Sequence, residues 1–131
     1  MPHYSVPPTP ADLETIAAAA FADIPDELRR YAADVLIRVE DFPDEEVERE
    51  MDLESPFDLL GLYRGCAMDI HAFGGAPAGV DMIFLYRRPI LDYWCETGED
   101  LSTLVRHVLI HEIGHHFGLS DDDMYRIEDE E

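Results

Sequence analysis

The sequence predicts an α+β domain: a small mixed sheet packed on an N-terminal helix and a C-terminal helix. Three observations carry that prediction. Apolar residues recur at helical spacing over 10–24. Three strand-like runs follow, at 35–40, 59–64 and 80–87, and helical spacing returns over 100–117. Helices, then strands, then a helix is the order of an α+β fold rather than of alternating βαβ units. At 131 residues the chain reads as one domain with a single modest core. Residues 1–8 are Pro-rich and expected to be loose, and 128–131 read as the end of an acidic tail.

Each element has a local reason. Thr9 can cap the first helix, Pro10 suits its first position, and Asp12 sits near the positive end of the dipole. Leu13, Ile16, Ala17, Ala20, Phe21 and Ile24 form its apolar face. Pro25 interrupts, and a short helical segment carrying Leu28 and Tyr31 is expected over 26–33. Val35, Ile37 and Val39 alternate with Leu36, Arg38 and Glu40, which reads as a strand. Residues 43–56 hold seven acids and two prolines, so an exposed loop or a surface helical turn is expected. LLGLYR, 59–64, is a second strand broken by Gly61, and the glycine-rich 65–79 a loop or hairpin connection. VDMIFLYR, 80–87, is the strongest strand; Pro89 stops it, and 90–96 read as a short helix holding Trp94. Over 100–117, Asp100 and Ser102 can cap a helix whose core stripe is Leu101, Leu104, Val105 and Val108. Gly118 can end that helix in a left-handed conformation, and a short acidic tail follows.

Charge narrows the chemistry. Thirty acids face nine bases, for a net charge of -21, and every base is arginine. Lysine, asparagine and glutamine are absent. That excludes a Schiff-base or phosphate-loop lysine, Asn-linked glycosylation, and an oxyanion hole built on Asn or Gln. The acidity disfavours nucleic acid and anionic membrane surfaces as partners. No apolar run is long enough to span a bilayer, and MPHYSVPPTP lacks the features of a secretory signal. Cys66 and Cys95 are too few for a disulfide framework and fit reduced thiols, so a cytoplasmic protein is expected. The acids serve solubility on the plainest reading, and on a sharper one occupy a basic partner.

The chemistry concentrates in HEIGHHFGLSDDD, 111–123. On a helix, residues four apart share a face, so His111 and His115 can point at one ion at about 2 Å. Glu112 lies one position round, beside the ion rather than on it. A carboxylate there can accept a proton from a water whose pKa the metal has lowered to roughly 7. Catalytic zinc takes three protein ligands and an open position. Gly118 allows a sharp reversal, and Asp121 follows three residues later, with Asp122 and Asp123 adjacent alternatives. Zinc is preferred from the ligand types, while nickel, cobalt or iron also accept two imidazoles and a carboxylate.

His111, Glu112, His115, Gly118 and Asp121 spell the extended pattern H-E-x-x-H-x-x-G-x-x-(H or D), which resembles the zincin metallopeptidases. With Ile37-Arg38-Val39-Glu40-Asp41, LYRG at 62–65 and IFLYRRPI at 83–90, the chain is similar to a family of small bacterial zincin-like proteins over roughly residues 11–127. The resemblance implies a minimal zincin-like fold: a short mixed sheet, a backing helix and the active-site helix. It implies a zinc-dependent metallopeptidase with His111, His115 and Asp121 on Zn²⁺, Glu112 as general base, and a peptide or protein as substrate. Two departures stand out. The third ligand is acidic where most metzincins have histidine, and too little chain follows for a methionine turn, Met124 being too close. In zincins an edge strand above the active-site helix pairs with substrate, and 80–87 are the candidate here. With one wall of the cleft missing, weak, narrow or partner-dependent activity is expected. The alternative is a binding module that keeps the zincin fold and engages a protein partner through its edge strand or acidic surface.

Other residues read more plainly. His107 is a partly buried helix histidine, His116 is exposed or near the metal ligands, and His71 is structural. Tyr63, Tyr86 and Tyr93 are oxyanion candidates but more often packed aromatics. Arg87 and Arg88 could bind a substrate carboxylate, but pairing with surface acids is the default.

Overall fold

A computed structural model describes residues 6–65 and 81–129. The readings for Cys66, His71 and nearly all of the 65–79 connection lie outside the described residues. Helix α1 spans Pro10–Asp23 and opens with a reciprocal cap: Asp12 N–H donates to Thr9 Oγ1 at 3.1 Å, and Thr9 N–H to Asp12 Oδ2 at 2.9 Å. Helix α2, Asp26–Arg29, runs into a 3₁₀ turn at Arg30–Ala32, and strand β1 is Leu36–Glu40. The acidic segment forms helix α3, Glu45–Glu50, capped by Asp44, whose Oδ1 accepts from Val47 N–H. A 3₁₀ turn at Pro56–Asp58 leads to β2, Gly61–Arg64. Then come β3, Met82–Tyr86, and helices α4, Arg87–Thr97, α5, Leu101–His116, and α6, Asp121–Asp129.

The sheet is mixed, in the order β1-β3-β2, with β1 parallel and β2 antiparallel to β3. Ile83 and Leu85 of β3 face the main core with Leu13, Ala17 and Ile24 of α1 and Leu104, Val105, Val108 and Leu109 of α5. Met82, Phe84 and Tyr86 point the other way, onto Leu62 and Val47. Both faces of β3 are therefore covered, and all five of its residues are buried. Together these elements make an α+β fold in which α1 backs the sheet and α5 lies beneath β2. Among the described residues, no helix is long and apolar enough to cross a membrane.

Three expectations need correcting. Residues 80–87 are not the edge of the sheet: β3 is central, paired on both sides, and β2 and β1 are the edges among the described residues. A strand covered on both faces and paired on both sides becomes a continuous apolar run, as MIFLY is, whereas edges carry charges, as β1 and β2 do in Arg38, Glu40 and Arg64. Pro89 does not delay the next helix, which begins at Arg87 and holds the proline in its first turn, where a missing N–H leaves no bond unmade. The acidic tail is helix α6, whose Met124 and Ile127 are buried against α5. Their spacing of three is the apolar signal that the surrounding acids mask.

The packing of α6 on α5 depends on Gly114. A Cβ built there would lie 2.3 Å from Met124 Sδ and 2.7 Å from its Cγ, so the bare backbone gives the methionine its seat. Met124→Ala is expected to lower the unfolding free energy by about 2–5 kcal/mol. In a Gly114→Ala/Met124→Ala double variant the new methyl enters the space the methionine leaves. The combined loss should then fall short of the sum of the single losses by about 0.5–3 kcal/mol. Urea unfolding of the four proteins checks this, and strict additivity would contradict the contact.

Candidate metal centre

Helix α5 starts at Asp100, whose Oδ2 accepts from Thr103 N–H at 3.0 Å. Its core stripe fixes its rotation on the sheet, and this brings His107, His111 and His115 to one face, each a turn apart. The rings of His111 and His115 lie 5.8 Å apart, centroid to centroid, and those of His107 and His111 4.1 Å. Gly118, at φ +79, reverses the chain, and Leu119 N–H closes on Gly114 O at 2.9 Å. Ser120 Oγ then accepts from Asp123 N–H and caps α6, which runs back along α5.

That return path puts one acid beside each end of the histidine row. Asp121 Oδ1 lies 3.7 Å from His115 Nε2, both side chains largely exposed. Two ligands about 2.0–2.1 Å from a tetrahedral ion are roughly 3.3 Å apart, so this pair is near the separation that a shared ion imposes. Glu128, in the last turn of α6, contacts His111 Nε2 with one carboxylate oxygen and lies 2.9 Å from His107 Nδ1 with the other. His107, His111 and Glu128 are the set of three ligand-type groups, among the described residues, whose donor atoms all lie within 4.8 Å of one another. The structure thus brings Asp121 to His115 and sets Glu128 on His111. Asp122 and Asp123 follow in the first turn of α6. Burial pushes the Glu128 carboxyl up, but hydrogen bonds from His107 and His111 outweigh it and hold the group below its ordinary value.

Glu112 lies on the adjacent flank of α5, round from His111 toward β2 and still near His115. Tyr86 N–H donates to Leu60 O, so in the antiparallel ladder Leu60, Leu62 and Arg64 turn their backbone groups to β3. Tyr63 turns its N–H to the outer edge, where it donates to the Glu112 carboxylate. Burial pushes that carboxyl from 4.5 up to about 7, against the nearby His115 and the Tyr63 amide, which favour the charged form.

The remaining expectations sort readily. Tyr63 donates its hydroxyl to Asp81 at 2.5 Å and stacks on His116, ring centroids 4.0 Å apart, so it is a packed aromatic. Tyr86 is buried within the sheet, and Tyr93 is exposed on α4. Arg87 donates to Pro8 O at 2.6 Å and to Asp41 at 3.1 Å, which ties the N-terminal segment to the end of β1. Arg88 lies over the Phe42 ring, and Cys95 is a free, exposed thiol. Glu128 and Tyr125, whose ring is 5.6 Å from His111, are neighbours that the sequence reading missed because it took α6 for a tail. A groove of about 700 Å³ lined by Pro7, Pro8, Phe57, Arg87, Trp94 and Cys95 includes no α5 residue and holds no such ligand set.

Glu112 gives a pH signature in the metal-free chain. Its folded carboxyl keeps a proton that the unfolded chain has already lost. Stability is therefore expected to fall as pH rises from about 4.5 through about 7, by up to about 3 kcal/mol. Glu112→Gln should remove that loss. Urea unfolding of both proteins at pH 5 and pH 8 measures it, and a difference between them that is equal at the two pH values would contradict the assignment.

Two imidazoles a turn apart that face carboxylates form a donor set of the kind zinc takes. No curated protein matches the chain. A family model described as zincin-like metallopeptidase matches residues 32–131, from the end of the 3₁₀ turn after α2 through β1, β2, β3 and the whole histidine face. By that match and the fold around it, the chain belongs to the zincin-like metallopeptidases.

Proposed function

We propose that this protein hydrolyses peptide bonds with one zinc ion, held by His111, His115 and Asp121, and with Glu112 as general base. The observation that carries the reading is the position of Glu112. It stands next to the first histidine of the row, and its carboxylate is tied to the Tyr63 amide at the outer edge of β2. When bound, zinc supplies Lewis acidity that lowers the pKa of water to about 7.

The chain's own residues do the rest. An extended peptide that adds to the outer edge of β2 lies antiparallel or parallel to a strand whose Tyr63 backbone already points there. Its scissile bond then comes beside Glu112 and above the His111–His115 pair. Glu112 takes a proton from the attacking water and returns it to the leaving amine. Its half-buried setting keeps bulk water from competing for that proton. Asp121, reached through the Gly118 reversal, sets the charge opposite His115. The net charge of -21 favours peptides over polyanions as ligands.

The test is zinc content and cleavage measured side by side. The zinc-loaded chain is expected to cleave members of a broad peptide library. Glu112→Gln should retain its zinc while cleavage falls by about 10²–10⁴. His115→Ala should weaken zinc binding together with cleavage. Cleavage that survives Glu112→Gln would sink the proposed mechanism. Zinc retained with no cleavage of any peptide would leave the other reading, a partner-binding module built on the zincin fold.

A further inference from the structure

The histidine row on α5 contains the same chelating arrangement twice. His111 and His115 are a turn apart and meet Asp121 of α6; His107 and His111 are also a turn apart and meet Glu128 of α6. The second set is the more closely knit, with its donor atoms all within 4.8 Å of one another. Its three side chains are held from several directions. Met124 and Ile127 seat α6 in the core, and Arg106 donates to Glu128 O at 3.0 Å, which fixes the end of the helix. The way in is open. The His107 side chain is 43% exposed, and Glu128 also lines a groove of about 600 Å³ between α1, the start of α5 and the end of α6.

We propose that His107, His111 and Glu128 form a second binding site for a divalent transition-metal cation, which shares His111 with the motif site. Two imidazoles and one carboxylate suit zinc, nickel or cobalt better than calcium or magnesium, which take oxygen ligands. An imidazole nitrogen holds one ion at a time, so the two sites compete and the chain binds one ion rather than two. An ion on His107, His111 and Glu128 takes His111 away from His115 and Asp121. The upper position is thus a holding site, from which the ion moves one helical turn to reach Glu112.

The proposal is separable from the peptidase reading because each site has ligands of its own. Cobalt(II) binding to the metal-free full-length chain is measured by equilibrium dialysis with metal analysis, with circular dichroism to confirm folding. His115→Ala/Asp121→Ala alters two largely exposed side chains and is expected still to bind one equivalent. Adding Glu128→Gln or His107→Ala to that background should weaken binding by about 10–100-fold or more. A folded His115→Ala/Asp121→Ala chain that binds no cobalt would overturn the proposal. So would unchanged affinity on adding Glu128→Gln and His107→Ala. Should the double variant not fold, His115→Phe alone carries the same test with the same two outcomes. The converse chain, His107→Ala/Glu128→Gln, reports on the motif site. If it binds nothing while His115→Ala/Asp121→Ala binds one ion, the motif-site reading fails and this one stands.

Discussion

The close seating of α6 on α5 at Gly114 is the contact on which the rest of the candidate metal centre depends. Helix α5 places its histidines by its own geometry, and the core stripe from Leu104 to Ile113 turns them to one side of the sheet. Two imidazoles alone make an incomplete cage. The acids arrive because Gly118 reverses the chain and because Met124 drops onto a position with no side chain. A larger residue at 114 would lift α6 and withdraw Asp121 and Glu128 together. Packing and ligand supply are in this way one property of the helix pair.

The flank of α5 that carries Glu112 is organised by the sheet. Among the described residues β2 is an edge strand whose alternate backbone groups point away from β3, and one of them holds Glu112. Glu112, the proposed base, is thus positioned by the same edge that a substrate strand would extend. Burial raises the Glu112 carboxyl to about 7, while the carboxyl of Glu128, set between two imidazoles, stays below its ordinary value. Two glutamates sixteen positions apart are driven in opposite directions by what packs around them, solvent exclusion in one case and cationic or donor neighbours in the other. That contrast separates a group suited to exchanging protons from one suited to facing a cation.

Much of this was legible in the sequence because the signals were local. The cap at Thr9, the alternation at 35–40, the periodicity over 100–117 and the H-E-x-x-H spacing each depend on a few neighbouring residues, and the structure has an element at each of those places. The family match over 32–131 agrees with the resemblance read from 111–121. What failed was not local. Whether MIFLY lies at the edge or the centre depends on which strands pair with it, and its unbroken apolar character was the clue to a central place. Helix α6 was hidden because its acids outnumber its two buried residues, and with it went Glu128, which reaches His107 and His111 about two turns along α6. Asp121 could be read from its spacing after Gly118, whereas the approach of Glu128 to His107 and His111 is tertiary and no spacing in the motif encodes it.

At the centre of the account is one helix face, His107, His111 and His115, that receives a divalent cation opposite the carboxylates of α6. Long-range proton–nitrogen correlation spectra of the six histidines during a zinc titration address it most directly. The account expects the His111 ring nitrogens to move with the first equivalent, together with those of a neighbour on the same face, while His116, stacked on Tyr63, keeps its position. A titration in which His111 stays still, or in which His116 moves without it, would contradict the account.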